Sequence, residues 1–405
     1  MSGASLEAMV DATPASRDRV VDFLRAASIC VVVVGHWTIA IVWWQDGVLR
    51  TTSAIGVTSW MWLATWALQV MPVFFFVGGF SNLVSWDASR RRGGSTWSFV
   101  RTRAMRLLRP SLVFFAVWGV IDVGMHLLDV GAPTGPRLWG DTTLLRLFLP
   151  PGATLPFGPL WFLGVYLLIV AIAPWMIELH RRFRWWVPAA MVLGAVVADG
   201  VGFIGGVSAL RWCNVAFVLL LPHQLGFFYA DGTFQRASRA ALWSMVAVGL
   251  GGLVLLTNPP AWRLLGDARF TWFPGIGHYP KSLLGTDVEA VSNAYPPTVC
   301  FMLGGIWTIG AAMLLRPRLQ RWLQRRGPWK ATISVNAIIV TLFLWHMTAF
   351  LGAVLVLWPV GLAREHDSTA AWWLQRPVIL AVSGLFLLGL IAVFGRFERP
   401  RAPAH

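Results

Sequence analysis

The chain has 405 residues, 57% of them apolar and only 13% charged, with mean hydropathy +0.63 and a formal net charge of +15. An ordinary soluble domain carries about 25% charged residues, so the composition excludes a soluble multi-domain enzyme and a disordered chain. Three Cys cannot staple a chain this long. What remains is an all-α integral membrane protein. The Arg residues fall in short clusters between apolar runs, which reads as loops anchored at a cytoplasmic membrane face and not as a nucleic-acid surface.

The first apolar run, Ala26 to Trp44, follows Arg17, Arg19 and Arg25. It is too long for a signal-peptide core and has no small-residue cleavage site, so it predicts a retained transmembrane helix. A span needs roughly 20 mostly apolar residues, and nine further segments qualify: 58–84, 110–129, 159–178, 185–202, 212–230, 240–256, 296–315, 332–358 and 375–395. Residues 21–395 thus form a bundle of about ten helices, with an N-terminal tail over 1–20 and a C-terminal tail over 396–405. With the N-terminus in the cytoplasm, 24 of the 33 Lys and Arg lie on the inner side. The charge bias therefore predicts N-in, C-in, multi-pass in the cell membrane. Two connections are long: a basic inner loop, Asp87 to Arg109, and an aromatic outer loop, Thr257 to Pro296, read as lying on the membrane or over a cavity.

Titratable groups inside spans mark function by default, because burying them in hydrocarbon is unfavourable. Arg25 and His36 are eleven residues apart, so on a helix they share one face, about 16 Å apart along the axis. Arg suits phosphate, being permanently charged and forked; His suits proton transfer near neutral pH. The bland alternative is a snorkelling Arg and a buried structural His. Asp122 and His126, four apart in the third span, are spaced to pair on one helix face. His223 beside Pro222, and His346 in the ninth span, carry a stronger structural prior. Gly78-Gly79 and Gly304-Gly305 read as close helix packing. No metal-ligand motif appears.

Taken together, these residues resemble a known family. Asp22-Phe23-Leu24-Arg25-Ala26-Ala27 with Val34-Gly35-His36 is similar to the opening of the membrane-bound acyltransferase 3 family, whose first helix carries Arg or Lys, ten residues, then His. Met71-Pro72-Val73-Phe74-Phe75-Phe76-Val77-Gly78-Gly79-Phe80 looks like its MPLFFFLSGF helix. The stretch Arg103 to Pro110 resembles its RxxR basic motif, Leu160-Trp161-Phe162-Leu163 its LWFL segment, and Leu344-Trp345-His346 its late LWH motif. Two departures stand out: Gly78 where the family has Ser, and Pro159 where His often precedes LWFL.

The resemblance implies an acyltransferase moving groups other than aminoacyl groups. It takes an acyl group, acetyl foremost, from cytoplasmic acyl-CoA to a hydroxyl of a cell-envelope carbohydrate, glycolipid or related acceptor. His36 would be the general base, and Arg25, Arg103, Arg106 and Arg109 would hold the donor's phosphates. Trp161, His346, Asp122 and His126 would serve the acceptor or support the base. No tightly bound cofactor is implied; acyl-CoA is a co-substrate, and the bilayer and the acceptor are the other partners. The competing class is a proton-coupled transporter of a lipid or glycan, although its usual pair of broken helices in two related halves is not evident in the sequence.

Overall fold

The computed structural model describes residues 7, 10–14, 17–45, 48–127, 157–257, 277–285 and 291–398. Among them, ten helical stretches are long and apolar enough to cross a membrane. The principal helices are α1 (Arg19–Ile39), α2 (Met71–Arg91), α3 (Thr96–Leu127), α4 (Leu160–Phe183), α5 (Trp186–Phe203), α6 (Asn214–Ala230), α7 (Arg239–Thr257), α8 (Val299–Trp322), α9 (Arg326–Asn336), α10 (Ile339–Leu357) and α11 (Ala370–Phe394). Their outer faces carry exposed apolar side chains such as Val120, Trp186 and Leu374, as expected of surfaces that meet lipid.

Four boundaries differ from the sequence reading. First, α1 begins and ends earlier than the run 26–44. Its tail, Ala40–Gln45, pairs antiparallel with Val48–Ser53, so the molecule is not purely helical. The run Ile41-Val42-Trp43-Trp44 is β-branched and aromatic, which favours a pleated edge over a helix end. Second, the span 58–84 is broken. A short helix, Trp62–Leu68, stops at Gln69, and α2 starts afresh with Pro72 in its first turn, because a proline offers no N–H to a preceding helical ladder.

Third, the basic stretch Asp87 to Arg109 is not a long loop. α2 runs to Arg91, Gly93 turns the chain at φ +74°, and α3 continues through Arg109 and Pro110. The missing hydrogen bond at Pro110 does not end a 32-residue helix. Arg101, Arg106 and Arg109 project from its exposed face, while Arg103 is half-buried. Fourth, the span 332–358 is two helices, α9 and α10, parted at Ala337 and Ile338. Most of the stretch 257–296 and of the two tails lies outside the described residues.

The central contact is between α2 and α6. A Cβ on Gly79 would collide with the His223 carbonyl oxygen, and one on Gly226 with the Phe76 carbonyl oxygen. The two backbones therefore touch, as small residues allow in membrane helices. α1 lies against α2 and α10, and both its ends are fixed. At the start, the Asp18 carboxylate accepts from the N–H groups of Val20 and Val21 at 3.0 and 3.1 Å, a side-chain cap. At the end, the buried Arg376 guanidinium donates to the carbonyls of Ala40 and Trp37 at 3.0 and 3.3 Å, completing acceptors that the helix terminus leaves open. This double clamp sets the rotation of α1, and with it the direction of His36.

Candidate active site

His36 faces His346 across the α1–α10 contact. The His36 Nδ1 and His346 Nε2 atoms are 2.9 Å apart, with the two rings within 13° of parallel. His346 Nδ1 is 2.7 Å from the Phe343 carbonyl oxygen, so it carries the proton and donates. In the neutral pair, the shared proton then sits on His36 Nδ1 and is donated to His346 Nε2. That leaves His36 Nε2 as a bare lone pair, without a partner among the described residues. The Trp37 indole donates to the His346 carbonyl at 2.8 Å, a second tie between the same helices. His346 is fully buried; His36 is only partly so, because it forms part of a cavity wall.

That cavity, about 170 Å³, is bounded by α1, the short helix Trp62–Leu68, the start of α2, α4 and α10. Its wall is mostly apolar, with Trp161 from α4 and Leu284 from the stretch before α8 contributing. A second cavity, about 110 Å³, lies beneath it and includes Arg25, Gly78 and Tyr166. Ile29, Phe74, Phe162 and Phe343 are walls of both. The two cavities are therefore neighbours, one lined by Arg25, at the end of the bundle that carries the basic clusters, and the other by His36, about 16 Å further along α1.

Around Arg25, Asp22 lies 3.5 Å away and the Ser81 hydroxyl accepts at 2.6 Å. Arg103 approaches the same α2 surface, donating to the Ser85 hydroxyl at 2.8 Å and reaching the Ser81 carbonyl at 3.5 Å. Arg106, three residues further along the same helix, and Arg109 are both exposed. Neither Arg106 nor Arg109 lines the two cavities. Gly78 has a local reason to lack a side chain: a Cβ there would stand 3.0 Å from the Tyr166 ring. Asp122 is half-buried and lines neither cavity, and the side chain of His126 lies outside the described residues.

The other buried histidines are tied to neighbours away from the two cavities. His223 meets the Asn82 amide at 2.9 Å, and His180 bridges Gln224 and Asp231 at 2.8 and 3.3 Å. Sequence reasoning did not single out Gln69, the Phe343 carbonyl, Arg376 or Glu398. The Glu398 carboxylate accepts from the N–H groups of Val340 and Thr341 at 2.9 and 2.8 Å and from the Thr341 hydroxyl. It caps the start of α10, where a negative group suits the helix dipole. Burial nonetheless raises its pKa above the ordinary glutamate value, against the pull of those bonds.

The structure thus brings together a cation at the basic end, two neighbouring cavities and a partly buried imidazole. A family model described as an acyltransferase domain matches residues 18–396, nearly the whole chain, and the chain belongs to that family, Acyl_transf_3. It is a multi-pass membrane acyltransferase by that membership and by the ten long apolar helices among its described residues. No curated protein and no solved structure matches it.

Proposed function

We propose that the chain transfers an acyl group, acetyl foremost, from cytoplasmic acyl-CoA to a hydroxyl of a cell-envelope carbohydrate, glycolipid or related acceptor, with His36 as general base. The chain would sit N-in, C-in in the cell membrane, which puts the basic end, and so the donor, on the cytoplasmic side. Arg25 and Arg103 take the nearer phosphates of CoA by charge-assisted bonds, and Arg106 and Arg109 meet the outer ones. The thin pantetheine arm follows the path between Ile29, Phe74, Phe162 and Phe343. Trp161 lies in the wall where the acceptor would approach, and the apolar lining favours an acceptor carried by a lipid.

In the reaction, the acceptor oxygen attacks the thioester carbonyl carbon while His36 Nε2 takes its proton. The carbon–sulfur bond then breaks, and the leaving CoA sulfur takes that proton from His36. His346 holds the ring by accepting from His36 Nδ1 throughout, and so stabilises the transient imidazolium. A mostly apolar enclosure around the thioester disfavours its hydrolysis.

The observation that carries this reading is the pair of neighbouring cavities with four common walls, one lined by Arg25 and the other by His36. His36→Gln keeps size and polarity but cannot shuttle a proton. It should lose kcat by about 10²–10⁴-fold while acyl-CoA binding and Tm stay near wild type. A well-folded His36→Gln protein with near-normal transfer would sink the proposal. The breaks at Gln69 and Val70 and at Ala337 and Ile338 are the features that favour transport instead; uptake of a glycolipid by proteoliposomes lacking acyl-CoA would support that reading.

A further inference from the structure

The cavity beside His36 holds another polar group at the helix break. Gln69 is 4% exposed and lies between the short helix Trp62–Leu68 and α2. Its Oε1 accepts from the Met71 backbone N–H at 3.3 Å. A backbone N–H can only donate, so this contact settles which end of the amide is oxygen. The other end, Nε2, is buried and has no hydrogen-bond partner among the described residues. Thr65, on the same wall, is differently placed. Its hydroxyl donates to the Trp62 carbonyl at 2.6 Å and accepts from the Leu283 N–H at 2.9 Å. Gln69 belongs to the wall of the cavity that His36 also lines, and its Nε2 is an unpaired donor enclosed within that wall.

An unpaired donor at membrane depth is unfavourable, and one in a native fold calls for a reason. Broken helices place non-helical backbone at that depth only where it is covered by protein or lines a cavity. Acyl transfer supplies a matching acceptor. The thioester carbonyl oxygen gains negative charge as the acceptor oxygen bonds to its carbon, and a fixed donor at that point lowers the barrier.

We propose that the Gln69 amide donates to the carbonyl oxygen of the acyl thioester and stabilises the oxyanion that forms there, which makes Gln69 a catalytic residue. The proposal rests on the acyl-transfer reading above. The acceptor hydroxyl proton goes to His36 Nε2, the new carbon–oxygen bond leaves the negative charge on the carbonyl oxygen beside Gln69, and the charge returns as the carbon–sulfur bond breaks. CoA leaves as the thiol with the proton from His36. Gln69 itself is neither protonated nor consumed.

The test uses the full-length purified protein, radiolabelled acetyl-CoA, and a membrane glycolipid extract as acceptor. Gln69→Met removes the amide at similar length; Gln69→Glu keeps an oxygen for the Met71 N–H and removes the NH₂. Both should lose about 10²–10³-fold in kcat, with KM for acetyl-CoA within a few-fold and Tm unchanged. Wild-type kcat in Gln69→Met would overturn the proposal. So would a loss that tracks a fall in Tm and is restored in Gln69→Glu, since Gln69 would then only brace the helix break. A wild-type protein that transfers no label overturns the acyl-transfer reading itself, which separates the two failures.

Discussion

Among the buried polar clusters of the described residues, those at Asp199 and at His36 differ in one respect. At Asp199, in α5, every bond points inward. The carboxylate accepts from the Asn214 amide at 2.8 Å, the Tyr279 hydroxyl at 2.9 Å and the Val299 N–H at 2.9 Å. It thereby pins α6, the stretch before α8 and the start of α8 to α5. At His36, the chain of bonds runs from Phe343 through His346 to His36 and then stops at a cavity. Burial alone does not separate the two, since both lie at sites where a polar group is unfavourable without partners. The difference is where the hydrogen-bonding capacity ends: spent within the fold at Asp199, offered to a ligand at His36.

The comparison predicts opposite behaviour under mutation. Asp199→Ala orphans three donors and should cost about 3 kcal/mol or more of stability, read as a fall in Tm. The specific activity of the molecules that stay folded should be little changed. A stable Asp199→Ala protein that has lost transfer would move Asp199 from the structural class to the functional one.

Next in size are the arginines. Arg25→Ala removes a charged phosphate contact, with an expected loss of about 1.5–3 kcal/mol, seen as a raised KM for acyl-CoA with kcat largely kept. Arg25→Lys should rescue only part, since it lacks the fork. Arg109, on the exposed face, should give a smaller rise. Equal effects at Arg25 and Arg109 would break the assignment of the donor path to the cavity that Arg25 lines.

The smallest effect concerns Glu398, which caps α10 and so supports the helix that carries His346. Its raised pKa means that the folded chain holds this proton more tightly than the unfolded one. The stability tied to it is fully present below the ordinary glutamate value and is lost as pH rises through the raised one. Tm recorded from about pH 4 to pH 8 should therefore carry a declining limb that Glu398→Gln flattens. An unchanged profile in Glu398→Gln would assign that limb to another group.

The sequence carried the ten spans and the one-face placement of Arg25 and His36, because both follow from helix periodicity and hydrocarbon thickness. It marked His346 as a histidine inside the ninth span but tied it to the site only by resemblance, and the contact across 310 residues has no local signal. The helix breaks were harder. Gln69-Val70-Met71-Pro72 reads as a continuous apolar span, since one amide barely moves a hydropathy window and Pro is tolerated inside other helices here, at Pro110 and Pro174. Gln69 was passed over because its meaning depends on which end of the amide is already satisfied. Arg376 and Glu398 were missed for a similar reason: each completes the end of a helix distant in sequence, α1 and α10 respectively.

With His36 as the base, His346 acts through it and not on its own. A double-mutant cycle tests it directly, with initial rates of acetyl transfer measured for wild type, His36→Gln, His346→Leu and the double variant, each checked for folding by Tm. Residues that work as a unit are non-additive. The double variant should therefore be no slower than His36→Gln alone, although His346→Leu by itself lowers kcat. If the two losses multiply, His346 contributes independently of His36, and the relay from Phe343 through His346 to His36 is not how the base is held.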